Sequence, residues 1–376
     1  MDVVVTGIGL ISCLGSLQST WSSILQGKSG IRSRQLFEAL PSYPIGLINS
    51  RPSRIDDLTQ KILVDALKDA QLPPPLAECG VVIGSSRSCQ ATWEKLASHA
   101  QNGKWSNLAP DWLQTLPHQP AVITANYIQT TAPVLSPMAA CATGIWALAR
   151  GYELIKTGRC EKAIAGAVEA PISSLTLAAF AQMGALANTG CYPFDQTREG
   201  LVLSEGGAIF VLETAESAAR RQAKIYGKIL GFGFTCDAYH ISTPQAVNGS
   251  ATRAIKQSLK RSGLEAKAID YIQAHGTSTT LNDRHEAQLI EQIFPQKVAI
   301  GSTKGATGHT LGASGAISTA LTLMAIKHSY LPPCIGLKNS EFKLNLVTQA
   351  EKTAINHAMC FSFGFGGQNA VITVSK

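Results

Sequence analysis

Short apolar runs bounded by glycine or serine alternate with stretches of helical periodicity along the whole chain, and the alternation starts afresh near residue 225. "VVVTGIG", "CGVVIGSS", "KAIAGAVEA" and "GGAIFVLE" have the near-continuous apolar character of strands buried on both faces. "YGKILGFGF", "IDYIQAHG", "KVAIGSTKG", "AMCFSFGFGG" and "NAVITVSK" form a second series, with helices expected near 250–262, 283–293 and 312–328. Within 142–158, Ile145, Leu148, Ala149, Tyr152 and Ile155 recur at helical spacing. This rhythm predicts an α/β fold with mostly helix-crossover sheets, built from two similar halves, residues 1–222 and 223–376. No low-complexity linker separates the halves, so they are expected to pack tightly.

Composition narrows the function classes. Of 376 residues, 45% are hydrophobic and 15% charged, which suits a large buried interior and argues against disorder. From Asp111 to Arg150 no Asp, Glu, Lys or Arg stands between the ends, and this span is expected to be buried core around a site. "MDVVVTGIG" has no basic region followed by a long apolar one, so no secretory signal is read there. No run reaches the ~18 uninterrupted apolar residues of a membrane span. Nine cysteines with no CxxC pair fit reduced thiols in a cytoplasmic enzyme, and all but Cys141 are expected to be small buried or semi-buried residues. The net charge of +7 is spread out, with clusters at Arg220, Arg221 and Lys224 and at Arg253, Lys256, Lys260 and Arg261 that read as solvated helix faces. A mild basic surplus suits an acidic partner, but no basic stripe interleaved with aromatics points to nucleic acid.

Four segments carry chemistry. In "PVLSPMAACATGIWALARG" a strand, a turn of small residues and a helix place Cys141 at a helix start. There the free amides and the helix dipole favour an anion, so a lowered thiol pKa is expected, and the same amides suit an oxyanion. Taken alone, such a cysteine is more often structural. In "AHGTSTTLNDRHEAQ", His275 follows a strand and precedes a run of hydroxyls that need polar partners. Asp283 and Glu286 come next, near a helix start where acids are common for dipole reasons alone. "GSTKGATGHTLGASG" sets Lys304 and His309 in a glycine-rich loop; the lysine precedes the glycines, so it is no P-loop. Lys304 is placed to hold His309 or a carboxylate such as Glu286. "FSFGFGGQNA" is a strand and a glycine turn that leaves amides free to face a ligand.

In this order and spacing the segments resemble the condensing enzymes of the β-ketoacyl-acyl carrier protein synthase family, in its elongating synthase I/II branch. "VVVTGIGLISCLG", "PFDQTREGLVLSEGGAIFVLE" and "CDAYHISTP" extend the resemblance over essentially the whole chain. It implies a thiolase-like α/β/α/β/α fold, a homodimer or else a heterodimer, and an acyl carrier protein as partner. It implies no metal and no cofactor beyond the phosphopantetheine that the carrier brings. Cys141 resembles the nucleophile that takes up the acyl chain. His275 and His309 resemble the pair that hydrogen-bonds the malonyl thioester carbonyl as carbon dioxide leaves. Lys304, paired with Glu286, resembles the support of the histidines, and Thr277 and Thr279 resemble the pantetheine-binding hydroxyls. The amides of Cys141 and Phe365 resemble the oxyanion hole, and Phe365 also the gate, with "DAYHISTP" as its moving neighbour.

The implied activity is decarboxylative Claisen condensation, elongating a fatty-acid or polyketide-like chain. The two-histidine site with Lys304 separates the chain from the synthase III and chalcone-synthase branch, and the absence of a cysteine in the last glycine turn separates it from thiolases. The region 45–75 and the stretch before Cys141 read as shorter than usual, and Tyr192 stands where a basic carrier-contacting residue is common. These departures point to a specialised enzyme. The alternatives are a non-catalytic, chain-length-setting subunit of a heterodimer, which would lack the nucleophile, and a structural α/β protein, which would leave the cysteine, lysine and histidines unexplained together.

Overall fold

Val3–Ser12 forms the longest run of wholly buried strand in the protein (β1), and its glycines show how tightly it is covered. A Cβ on Gly9 would lie 2.0 Å from the backbone oxygen of Ile62, so the helix Ile55–Ala70 (α1) lies against the strand as no larger residue would allow. The computed structural model describes residues 2–101, 110–295 and 297–376.

Among the described residues nine further strands join β1 in one mixed sheet: Gly80–Gly84 (β2), Val134–Leu135 (β3), Lys162–Glu169 (β4), Gly206–Thr214 (β5), Gly227–Cys236 (β6), Tyr271–Gln273 (β7), Ala299–Gly301 (β8), His357–Gly364 (β9) and Gln368–Ser375 (β10). The order is β8-β7-β9-β10-β6-β1-β5-β4-β2-β3, with a two-residue hairpin arm, Gly15–Ser16, on β1. From the centre outward the first five strands run β1, β5, β4, β2, β3, and the last five run β6, β10, β9, β7, β8. Each set therefore has its first strand beside its fifth, then its fourth, second and third. In both sets the two inner pairings are antiparallel and the two outer ones parallel. The expected crossover sheets are thus half right, since the long strands pair antiparallel. The sets join where Val3–Val5 of β1 runs antiparallel to Gly227–Ile229 of β6.

Alternation along the strands sorts side chains between layers. On β4 and β5, Ala163, Ala165, Phe210 and Leu212 face a central core, while Ile164, Val168, Ile209 and Val211 pack with α1 in an outer one. The central core holds two helices, Thr143–Lys156 (α2) and Ser314–His328 (α5). Every residue of α5 from Ser314 to Ile326 is buried, so over that span no face of it meets solvent. A Cβ on Gly144 would stand 2.5 Å from the amide nitrogen of Ala316, which marks the close crossing of α2 and α5. On the far side Ser250–Ser262 (α3) and Thr280–Ile293 (α4) close a third core with Ile272, Ile300, Met359 and Phe361. The result is the expected five-layer α/β/α/β/α arrangement.

Three expectations change. Between Asp111 and Arg150 the helix α2 is buried, yet Trp112, Leu113, Val134, Leu135 and Met138 are exposed, Met138 by 61%. A charge-free stretch reads as core when counted by composition, but β3 is the edge of the sheet, and among the described residues no strand covers its outer side. Cys236 is exposed rather than buried. In the basic clusters, Arg221 pairs with the fully buried Glu213 and Lys224 lies 2.6 Å from Asp69, so these are anchors and not only solvated faces.

Candidate active site

Cys141 sits where the chain turns from β3 into α2, two residues before the helix begins. Ala140 takes φ +46°, a left-handed conformation strained for a residue with a side chain, and this turns Cys141 toward the interior. The turn is pinned by Thr143, whose hydroxyl accepts from the Ala139 amide at 2.8 Å and donates to Ala140. From the opposite set, Ser362 Oγ donates to the Cys141 carbonyl at 2.8 Å. A Cβ on Gly364 would lie 3.0 Å from the Cys141 nitrogen and 3.1 Å from the Ala139 oxygen, so a side chain there would press the β9–β10 turn away by a few tenths of an ångström. That turn continues through Gly366 and Gly367, both left-handed, and leaves the Phe365 amide close enough to favour the Cys141 thiolate.

His275 follows β7. Glu286, on α4, accepts from the amides of His275 at 2.6 Å and Gly276 at 2.7 Å. Lys304 Nζ donates to the His275 carbonyl oxygen and lies 3.5 Å from His275 Nδ1. Lys304 and Glu286 thus grip the His275 peptide from its two sides and do not pair directly, which corrects the expected ion pair. Burial of both groups raises Glu286 to about 7 and lowers Lys304, so burial opposes the charge on each. Asp283 is no mere dipole partner either: fully buried, it accepts from the amides of Phe194 at 2.8 Å and Ser278 at 3.2 Å.

His309 lies in the loop from β8 to α5, its amide bonded to the Val202 oxygen at 2.7 Å and its Nδ1 2.7 Å from Ser314 Oγ. The rings of His275 and His309 stand 5.2 Å apart, nearly perpendicular. Burial, followed by the nearby Lys304 charge, holds both well below the ordinary histidine range, so both imidazoles are neutral near pH 7. The Lys304 ammonium near Nδ1 of His275 favours the tautomer whose Nε2 carries the proton, whereas the Ser314 hydroxyl can pair with His309 Nδ1 as donor or as acceptor. The Cys141 sulfur and one ring nitrogen of each histidine lie within 4.8 Å of one another.

The thiol differs from expectation. Burial pushes Cys141 up to about 11 despite the Lys304 charge, so the resting residue keeps its proton. A helix start favours the thiolate, but taking a sulfur anion out of water costs more.

These groups line a cavity of about 270 Å³ with Thr277, Thr279, Phe180 and Phe365. Thr277 and Thr279 lie 2.9 Å apart through their hydroxyl oxygens. Phe365 is 38% exposed and stacks on Phe180, and the Gly366 amide donates to Ile241 of the 237–244 loop at 2.7 Å. Asn369 bonds both Asp237, at 2.7 Å, and Gly367, tying loop and turn together. Two larger grooves, of about 600 and 620 Å³, bring no nucleophile against an imidazole. Sequence reasoning missed Ser314, Ser362, Asn369 and Phe180. Only Ser314 left a signal, a hydroxyl five residues after a histidine in a glycine-rich loop.

Residues 49–218 match the family model of the β-ketoacyl synthase N-terminal domain, and residues 226–338 that of the C-terminal domain. The 3-oxoacyl-(acyl-carrier-protein) synthase 2 of Staphylococcus aureus (strain COL) is 32% identical, covering 100% of this chain and 98% of that protein. The protein of that name from Synechocystis sp. is 34% identical over the same shares. Among solved structures, a type II polyketide synthase ketosynthase in complex with its acyl-carrier protein and bound to the hexaketide superposes with a TM-score of 0.94 at 27% identity, covering 100% of this chain and 99% of that one. The ishigamide ketosynthase/chain length factor superposes at 0.91 with 26% identity and the same coverage.

Proposed function

The chain belongs to the β-ketoacyl synthase family, condensing acyltransferases that need no cofactor of their own, and we propose that Cys141 is the acyl-bearing nucleophile of its condensation reaction. One observation carries this reading: a thiol at a helix start, with two neutral imidazoles within 4.8 Å, in a cavity that opens to solvent.

In the first half-reaction the Cys141 sulfur attacks the carrier-bound acyl thioester. The carrier's sulfur leaves with the proton that Cys141 gives up, so no proton is lost or gained. In the second, the Nε2–H groups of His275 and His309 donate to the carbonyl oxygen of a malonyl thioester. The bond to the carboxylate breaks, carbon dioxide leaves, and the electron pair remains as an enolate. Its carbon attacks the acyl-Cys141 carbonyl, and the amides of Cys141 and Phe365 hold the oxyanion. The carbon–sulfur bond then breaks and the departing thiolate takes up one proton. Lys304 and Glu286 fix His275 through its peptide, Thr277 and Thr279 bond the pantetheine arm, and Phe365 gates the cavity with the 237–244 loop.

We further propose an acyl carrier protein as partner and a division of the chain at 222/223, which the equal strand order of the two sets supports. A homodimer through the exposed edge strand β3 would cover Val134, Leu135 and Met138. Nine unpaired cysteines suit a reducing cytoplasm. Among the described residues no helix is long and apolar enough to cross a membrane. The presence of Cys141 disfavours a chain-length-setting subunit. Intact-mass spectrometry after incubation with acyl-carrier thioesters tests the proposal: one acyl group should appear, on Cys141. Self-acylation at another cysteine, or none with any chain length, would overturn it.

A further inference from the structure

Cys141 also packs against an apolar cluster that includes Phe180, Leu177, Leu201, Leu203 and Leu311, the natural bed for an acyl tail. The Arg87 side chain reaches this bed. The guanidinium carbon of Arg87 stands 5.8 Å from the centre of the Phe180 ring, and that ring stacks on Phe365 with centres 6.2 Å apart. The Arg87 charge is close enough to favour the Cys141 thiolate.

The Arg87 side chain is exposed in the single chain, so the donors that the protein leaves unused face water. Nη1 donates to Gln90 Oε1 at 3.4 Å, and Gln90 Nε2 donates in turn to Thr176 Oγ1 at 3.0 Å and Glu94 Oε1 at 2.9 Å. Thr176 lies on the helix Ser174–Gln182, which also carries Phe180. The Arg87 backbone is fixed as well, its amide donating to the buried Glu169 at 3.2 Å. Among the described residues no carboxylate lies within 4.0 Å of the Arg87 guanidinium nitrogens, while Glu94 is taken up by Gln90 and by Ser173 Oγ at 2.6 Å. An arginine presents five donors in a fixed fork, so most of this fork is open to a ligand. A plain alkyl tail laid along Phe180 would shield the fork from water and offer it nothing. A tail ending in a carboxylate would accept two of its hydrogen bonds.

We propose that Arg87, backed by Gln90 and Phe180, is a specificity determinant that selects acyl chains carrying a carboxylate at the end remote from the thioester. The inference rests on Cys141 being the acyl-bearing nucleophile. Its test compares carrier-bound thioesters of equal carbon number, hexanoyl with adipoyl and octanoyl with suberoyl, by intact-mass time courses. The wild type should load the carboxyl-ended member faster at one of these lengths. Arg87→Leu should lower the carboxyl-to-methyl ratio about tenfold, the worth of one charge-assisted contact, and Arg87→Lys should lower it less. Equal loss of both rates in Arg87→Leu would mean a structural role and overturn the inference, as would a wild-type preference for methyl-ended chains at both lengths. Loading by none of the four would overturn the nucleophile assignment itself, a separate result.

Discussion

Two loops occupy equivalent places in the two strand sets, and they have taken opposite physical forms. Each runs from the third strand of its set to one of the two central helices: β3 to α2 through Cys141, and β8 to α5 through Lys304 and His309. The first is short, strained at Ala140 and partly open, with Met138 exposed. The second is long, wound into Lys304–Thr307 and Leu311–Ala313, and buried at every residue from Gly301 to Ile326. The open loop is held by backbone packing against Gly364 and by the hydroxyls of Thr143 and Ser362. The buried loop is held by a lysine, an imidazole and hydroxyls whose polar groups find partners inside the protein. A covalent carrier of changing cargo needs room, whereas donors aimed at a developing negative charge need fixed orientation in a dry site. The difference teaches that acyl loading and decarboxylation should be separable by mutation.

The sharpest break is Cys141→Ala. Acyl loading should vanish and condensation fall by on the order of 10³ or more, as for removal of a covalent nucleophile, while malonyl-carrier decarboxylation persists. Loading followed by intact mass and carbon dioxide release followed in parallel check this. If both activities disappear together, the division between the loops is wrong. His309→Ala should do the reverse. Carbon dioxide release should drop about 10²–10³-fold, the scale of one lost oxyanion donor, with an acyl group still found on Cys141. Equal loss of both steps would place His309 in loading too.

Gly364→Ala tests the packing that holds the open loop. Its new methyl would press on the Cys141 nitrogen and the Ala139 oxygen, so loading should slow and stability fall by about 1–3 kcal/mol, read by chemical denaturation. An unchanged loading rate would show that the turn is not set by this contact. On the buried side the matching test is pH. Glu286 stands at about 7 in the folded protein against an ordinary 4.5, so the native state binds its proton more tightly than the unfolded chain does. That contribution is complete below 4.5 and is lost as pH rises toward 7. Wild-type stability should therefore decline across this window more steeply than that of Glu286→Gln. Parallel pH profiles for the two proteins would remove the titration from Glu286.

Much of this was legible in the sequence because burial on both faces leaves unbroken apolar runs. The strands around Val81, Ile164 and Ile209 and the helices α2 and α5 follow directly from that patterning. Cys141, His275 and His309 stand out as chemistry-bearing residues between small ones. What failed to show depends on contacts distant in sequence. Ser362 reaches Cys141 from 221 residues away, and the Lys304 and Glu286 arrangement needs the His275 peptide between them. The thiol pKa went the other way for the same reason: a helix start is local and readable, whereas the burial that outweighs it comes from the whole fold. The exposure of Val134, Leu135 and Met138 likewise turns on β3 being the last strand, which no composition count reports.

The smallest expected effect is the most discriminating. Ser314→Ala removes only the hydroxyl at 2.7 Å from His309 Nδ1, leaving α5 and its packing in place. Without that partner the ring loses the side-chain bond that holds its orientation, and the neighbouring Thr310 hydroxyl, bonded to Ser314 Oγ at 3.3 Å, loses its own. A hydrogen bond of this kind is worth about 1 kcal/mol, so carbon dioxide release should slow roughly five- to tenfold. Acyl loading, measured on the same sample by intact mass, should change little, and Ser314→Thr should restore part of the lost rate by returning a hydroxyl. A fall of both steps by the same factor would mean that Ser314 serves the helix and not the imidazole, and that orientation of His309 comes from its backbone bond to Val202 alone.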